Sequence, residues 1–105
     1  MSVRLDPDGH EIDLFLELVG DLKGKRVLEI GCGDGRLTWL YAELTARVEG
    51  IDPDEEDIAL ARQNTPPSLT KRVRFQAVDL EKFSSKWKKS KSKQPYDLAI
   101  LAWSL

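Results

Sequence analysis

The chain has 105 residues, and 16 lysines and arginines against 18 aspartates and glutamates give it a net charge of −2. This length allows one domain, and 41% hydrophobic with 32% charged residues is typical of a globular protein. We expect neither a transmembrane helix nor a secretory signal, because no apolar run is long enough and the N-terminus is polar. The single cysteine, Cys32, excludes an internal disulfide and a cysteine-only metal site, so we expect a cytoplasmic protein without a metal.

An amphipathic helix is predicted first. Asp8 can cap it, Glu11 completes a capping box, and apolar residues recur at helical spacing until the glycines between positions 20 and 24. His10, at its start, is expected to lie on the surface.

Four short apolar segments then predict strands over residues 26–30, 47–51, 73–78 and 96–103. Helices are predicted between them over residues 37–44 and from the acidic residues 54–57 to about residue 64. A further crossover helix is left open, because Phe83 and Trp87 are its main apolar residues and five lysines lie from Lys86 to Lys93. Strands that alternate with helices predict a parallel α/β sheet.

The fourth predicted strand is almost entirely apolar, which is typical of a strand inside a sheet. The chain ends at Leu105, directly after it, so we expect one domain over residues 1–105 that is incomplete at its C-terminus. An uncovered edge there would favour self-association through the fourth strand.

A glycine-rich turn, Gly31-x-Gly33-x-Gly35, follows the first predicted strand. Glycines allow a sharp turn and a close approach of a ligand to the backbone. Asp52 follows roughly 20 residues later, at the end of the second strand, where its carboxylate can accept hydrogen bonds from ribose hydroxyls. This layout predicts a nucleoside-binding site at the carboxyl ends of the strands.

The spacing of the glycines disfavours a dinucleotide, because a G-x-G-x-x-G turn would place the third glycine one residue later. The carboxylates of Glu29 and Asp34 beside the turn would also repel a pyrophosphate. They favour a ligand that carries an ammonium or a sulfonium. A nicotinamide-dinucleotide domain is therefore the weaker alternative.

Four blocks of the chain, in this order, resemble the motifs of the class I S-adenosylmethionine-dependent methyltransferases: VLEIGCGDG (27–35), VEGIDPDEEDIALAR (48–62), VRFQAVDLEKF (73–83) and YDLAILAWSL (96–105). The resemblance implies a Rossmann-like three-layer α/β sandwich with a truncated parallel sheet of order 3-2-1-4. It also implies S-adenosylmethionine as cofactor and methyl transfer to an unknown acceptor, for which a small molecule is favoured over a nucleic acid.

The resemblance further implies cofactor-binding residues at the ends of the predicted strands, namely Glu29, Gly31, Cys32, Gly33, Asp52, Pro53, Asp79, Leu80 and Ala102. Glu29 would orient the ammonium, Asp52 would bind the ribose and Asp79 would accept from the adenine amino group. Backbone of the glycine turn, together with Ala102 and Trp103, would lie near the methionine part. Pro53 or Asp54 would flank the adenine, and the Leu80 N–H would reach a ring nitrogen.

Simpler interpretations remain open at this stage. Asp52 and Asp79 can be helix caps, Glu29 can pair with Arg26 or Arg36, and Cys32 is expected to be a small turn residue without a nucleophilic role. No residue is assigned as a general base. The alternative function is a non-catalytic fragment that acts as an interaction module through the exposed edge strand.

Overall fold

A computed structural model describes residues 2–5, 22–90 and 95–102. Five strands of the described residues share one sheet: β1 (Ser2–Leu5), β2 (Arg26–Ile30), β3 (Arg47–Asp52), β4 (Val73–Ala77) and β5 (Leu98–Ala102). Within the described ranges, three α-helices lie between β2 and β5: α1 (Thr38–Tyr41), α2 (Glu55–Asn64) and α3 (Leu80–Lys89). Short 3₁₀ turns follow α1 at Ala42–Leu44 and α2 at Pro67–Leu69. No helix in these described ranges is long and apolar enough to cross a membrane.

The strand order is β1-β5-β2-β3-β4, and every neighbouring pair is parallel. The four predicted strands are β2, β3, β4 and β5, so the predicted order 3-2-1-4 is confirmed. In the register, Glu29 on β2 lies opposite Gly50 on one side and Ile100 on the other. The carboxyl ends of the central strands therefore meet at one edge, where ligands bind in open α/β sheets.

The edge of β5 is covered, contrary to the expectation of an exposed fourth strand. Ser2–Leu5 pairs with it in parallel, from Ser2 opposite Ala99 to Leu5 opposite Ala102. An apolar strand presents unpaired N–H and C=O groups along a free edge, and this short segment satisfies them. The predicted N-terminal helix, His10 and Trp103 lie outside the described residues.

Helix α3, which the sequence left open, is formed. Asp79 caps it by accepting a hydrogen bond from the Lys82 N–H at 2.7 Å, and its last turn carries lysines that favour the helix dipole. Phe83 and Trp87 lie one turn apart and line an apolar groove of about 310 Å³ against Tyr96. Phe83 packs against the cluster of Leu28, Ile51 and Val78, so it brings this lysine-rich helix against the sheet.

Alternating residues of β2 divide the core between the two faces of the sheet. Val27 belongs to the larger cluster, which α1 and α2 cover with residues such as Tyr41 and Ile58. Leu28 belongs to the smaller cluster, which Phe83 of α3 contacts. Since strand residues alternate between faces, Glu29 points to the same face as Val27, into the larger core. A carboxylate within an apolar core requires a specific explanation.

Candidate functional site

The turn after β2 depends on glycine. Gly31, Gly33 and Gly35 have φ values of 77°, 56° and 91°, in the left-handed region that side chains disfavour. The N–H groups of Gly31 and Cys32 both donate to the Ile51 carbonyl of β3, at 2.8 and 3.1 Å. A Cβ on Gly31 would lie 2.9 Å from the carbonyl oxygen of Ala102. The turn is therefore pressed against the ends of both neighbouring strands.

Asp52, the last residue of β3, holds this turn in place. Its Oδ2 accepts a hydrogen bond from the Gly33 N–H at 3.0 Å, and its Oδ1 accepts one from the Asp54 N–H at 2.9 Å. The cap of α2 is Asp54, which accepts from the Asp57 N–H at 3.0 Å. Asp52 is therefore not the helix cap. Each carboxylate oxygen has two lone pairs, so Asp52 retains the capacity to accept from two hydroxyls.

Glu29 is fully buried, and its two oxygens differ in their environments. Oε1 accepts from the Thr38 hydroxyl at 3.0 Å and from the Tyr41 hydroxyl. Oε2 has no hydrogen-bond partner in the part of the chain that the structure describes. Burial raises the pKa of the Glu29 carboxyl from 4.5 to about 7, against the opposing effect of the two hydroxyls.

The cationic partners considered for Glu29 are engaged elsewhere. Arg26 lies against Asp97, whose carboxylate accepts its N–H at 2.9 Å, and Arg36 donates to Asp34 at 3.2 Å. The Glu29 carboxylate therefore meets hydroxyls and no cation among the described side chains. Its Oε2 atom is buried and keeps its capacity to accept a hydrogen bond unused among the described residues.

Cys32 lies in the turn as a buried, neutral thiol. Its Sγ lies 3.7 Å from the Gly33 carbonyl oxygen, and 3.1 Å from the position that a Cβ on Gly50 would occupy. Burial, followed by the charges of Glu29 and Asp52, raises the pKa of this thiol well above its ordinary value. These properties match the expected packing role and argue against a nucleophile.

Carboxylates gather outside the turn. Desolvation raises the pKa of Asp57, and the charges of Asp54, Asp52 and Asp34 raise it further while Arg36 opposes them. This edge of the sheet therefore has a negative potential. Such a potential favours a cationic ligand over a pyrophosphate.

The remaining expected residues surround the same edge. Asp79 follows Val78, whose N–H donates to the Asp52 carbonyl at 3.0 Å, and Leu80 is the first residue of α3. Asp79 is the cap of α3, so the capping interpretation holds for it, although Oδ1 alone makes that bond. Pro53 is exposed, and Ala102 lies against Gly31. The fold thus brings together residues from β2, β3, β4 and β5.

Sequence reasoning missed Thr38 and Tyr41, which reach Glu29 from α1. They are three residues apart, so they share one face of the helix. Both are fully buried. The available signal was two hydroxyl side chains on the inward face of the helix that follows the turn. Such hydroxyls can donate to a buried acid such as Glu29.

Comparison with known proteins places these features in a family. A family model described as a methyltransferase domain matches residues 21–103. The ubiquinone biosynthesis O-methyltransferase of Bordetella avium is 40% identical over 74 residues, which are 70% of this chain and 30% of that protein. The human mitochondrial ubiquinone biosynthesis O-methyltransferase is 40% identical over 62 residues, 57% of this chain and 17% of that protein.

A solved structure agrees with the sequence relatives. Magnesium protoporphyrin IX methyltransferase from Synechocystis, with bound S-adenosylmethionine, superposes with a TM-score of 0.64 at 26% identity. The match covers 88% of this chain and 41% of that protein. The chain spans less than a third of the length of each of these two curated relatives. The glycine turn, the strand order and these matches together show that the chain belongs to the class I S-adenosylmethionine-dependent methyltransferase family.

Proposed function

We propose that this chain forms the S-adenosylmethionine-binding half of an enzyme that methylates a small molecule. The observation that carries the proposal is the pairing of two carboxylates at one turn. Asp52 anchors the turn with lone pairs to spare, and Glu29 keeps one buried oxygen without a partner. A ligand with ribose hydroxyls at one end and an ammonium at the other satisfies both.

The residues present fit this cofactor. The turn at Gly31 and Gly33 offers backbone without side chains to the methionine part, next to Ala102. We propose that Asp52 binds the ribose hydroxyls and that Glu29 binds the ammonium, directly or through one water. We propose that Asp79 and Leu80 bind the adenine edge, with Pro53 beside the ring, and that Cys32 lines the turn.

When bound, S-adenosylmethionine supplies an electrophilic methyl group on a sulfonium. The chain's contribution is to bind and orient the donor so that an acceptor can approach in line. The acidic edge formed by Asp34, Asp52, Asp54 and Asp57 favours the positively charged donor over the neutral product. No described residue is assigned as a general base.

A small-molecule acceptor is supported by the relatives named for ubiquinone biosynthesis and by the magnesium protoporphyrin methyltransferase. The relatives' name also supports methylation at an oxygen. A cytoplasmic location stays a prediction. The interaction-module alternative depended on an exposed β5, and Ser2–Leu5 covers that edge, so no observation now favours it.

Thermal unfolding with S-adenosylmethionine or S-adenosylhomocysteine tests the proposal. Ligand at about 100 times its dissociation constant should stabilise the chain by about 2.7 kcal/mol, a rise of several degrees in the midpoint. Asp52→Ala should abolish this rise.

Asp97→Ala is the matched control, because Asp97 also accepts from a backbone N–H, that of Arg26 at the opposite end of the strands. It should keep the full ligand-induced rise. No rise in the parent chain at millimolar ligand would refute the proposal.

A further inference from the structure

Two buried hydroxyls of α1 contact the carboxylate of Glu29. Thr38 and Tyr41 are fully buried, and both donate to Oε1. Neither donates to Oε2, which remains buried and without a partner among the described groups. A network that served packing alone would satisfy both oxygens, because an unpaired buried acceptor costs stability. The asymmetry therefore indicates a partner for Oε2 other than the described residues.

We propose that Tyr41 and Thr38 are positioning residues for the cofactor: by occupying Oε1 of Glu29 they leave Oε2 to pair with the cofactor's ammonium. This inference rests on the proposed cofactor site. It goes further in stating that the orientation and the charge of the Glu29 carboxylate depend on α1, the helix that follows the glycine turn. Hydrogen bonds from both hydroxyls stabilise the ionised carboxylate of Glu29 and so lower its pKa. The hydrogen bond from Tyr41 lowers this pKa more than the one from Thr38.

Protonation gives this arrangement a measurable signature. The pKa of Glu29 is about 7, so near neutral pH about half of the carboxylates carry the charge that an ammonium requires. Among the residues that the structure describes, the titratable groups that face Glu29 are the Tyr41 phenol from α1 and the Cys32 thiol from the turn. Burial raises the pKa of both, so both are neutral near pH 7. The neighbouring strands offer Gly50 and Ile100, which do not ionise.

Two adenosine ligands separate the ammonium from the rest of the cofactor. S-adenosylhomocysteine carries the amino-acid end, and 5′-methylthioadenosine shares the adenosine and the thioether but lacks it. Their dissociation constants are measured by calorimetry from pH 6 to pH 8. In the parent chain, affinity for S-adenosylhomocysteine should rise about tenfold over this range, as the ionised fraction of Glu29 rises. Affinity for 5′-methylthioadenosine should stay constant.

Tyr41→Phe removes one hydroxyl and keeps the ring. It should move the rise for S-adenosylhomocysteine upward by about one pH unit, because the ionised carboxylate loses a donor. At pH 7 the affinity should then fall about fivefold, with no change for 5′-methylthioadenosine. Thr38→Val should shift the pH profile of S-adenosylhomocysteine binding in the same direction but by less. Thr38→Ser keeps the hydroxyl and should therefore keep the parent pH profile.

Tyr96→Phe is the matched control, since Tyr96 lines the groove under α3 and does not contact Glu29. It should leave both ligands and the pH profile unchanged. Equal losses for both ligands in Tyr41→Phe, or an unshifted profile, would overturn the positioning role while the cofactor site stands. Failure of the parent chain to bind either ligand would instead overturn the proposed function, and this inference with it.

Discussion

Glu29 and Asp52 are carboxylates near the ends of adjacent parallel strands, yet they occupy opposite environments. Asp52 is half-buried and accepts from two backbone N–H groups, one on each oxygen. Glu29 is fully buried and accepts from two side-chain hydroxyls, both on the same oxygen. The first arrangement fixes the backbone of the turn. The second arrangement holds an ionisable carboxyl group within the core.

The difference shows that one carboxylate, that of Asp52, mainly stabilises the backbone, whereas the other, that of Glu29, is held in the core at a cost in stability. Removing Asp52 should loosen the turn itself, because the N–H of Gly33 loses its acceptor. Removing the charge of Glu29 should instead relieve a desolvation cost in the unliganded chain. Stability and cofactor affinity should therefore change in the same direction at Asp52 and in opposite directions at Glu29.

Glu29→Gln should give the largest effect. The pKa of Glu29 is higher in the folded chain than in the unfolded one, so the folded state binds the proton more tightly. This contribution to stability is complete below pH 4.5 and is lost as the pH rises to about 7. At pH 8 the variant should exceed the parent in unfolding free energy by about 3 kcal/mol, with little difference at pH 4.

Urea denaturation across this pH range measures the difference for Glu29→Gln. Glu49→Gln is the control, because burial also raises the pKa of Glu49 but Arg74 and Arg47 oppose the shift. Its pH-dependent difference should be smaller. A parallel displacement of the Glu29→Gln and parent curves at every pH would contradict the buried-charge interpretation.

Asp52→Ala should lower the unfolding free energy by about 2 kcal/mol, because the N–H groups of Gly33 and Asp54 lose a charged acceptor. Chemical denaturation of the unliganded chain at pH 7 gives this value. Asp97→Ala removes a single acceptor at an exposed position and should cost less. Equal losses in the two variants would show that Asp52 does not anchor the turn.

Gly31→Ala tests the turn that brings the two carboxylates together. Gly31 and Gly24 share a φ of 77°, but a Cβ on Gly24 meets no atom within 4 Å, whereas one on Gly31 meets the Ala102 carbonyl. Gly24→Ala should cost about 1 kcal/mol for the left-handed backbone alone. Gly31→Ala should cost about 1–2 kcal/mol more, because backbone must shift. Identical midpoints in thermal unfolding would refute the close approach.

Asp79→Ala should have the smallest effect, a loss of about 1 kcal/mol from the cap of α3. Asp79→Ser separates the cap from cofactor binding, because serine caps helices well but carries no carboxylate. Its thermal midpoint should match the parent, while its affinity for 5′-methylthioadenosine should fall several-fold. Unchanged affinity would leave Asp79 with the capping role alone.

Much of the fold follows from local sequence patterns. The glycine turn, the strand before it and the acidic start of α2 each have a strong local signal, and all three lie where they are predicted. The edge strand Ser2–Leu5 has no such signal, because four residues acquire their structure only from pairing with a distant strand. The contacts of Thr38 and Tyr41 with Glu29 were missed for a different reason, because hydrophobic spacing marks a buried helix face but does not show which buried side chains bond through a hydroxyl.

Pairing of β1 with β5 also has a kinetic consequence. Ser2 pairs with Ala99, which is far away in the sequence, so this pairing closes a long loop, and the entropic cost of closure grows with loop length. Such long-range contacts slow folding. During synthesis, Ser2–Leu5 can pair only after β5 has been made. We therefore expect β1 to dock late, after β2, β3 and β4 have assembled with the helices between them.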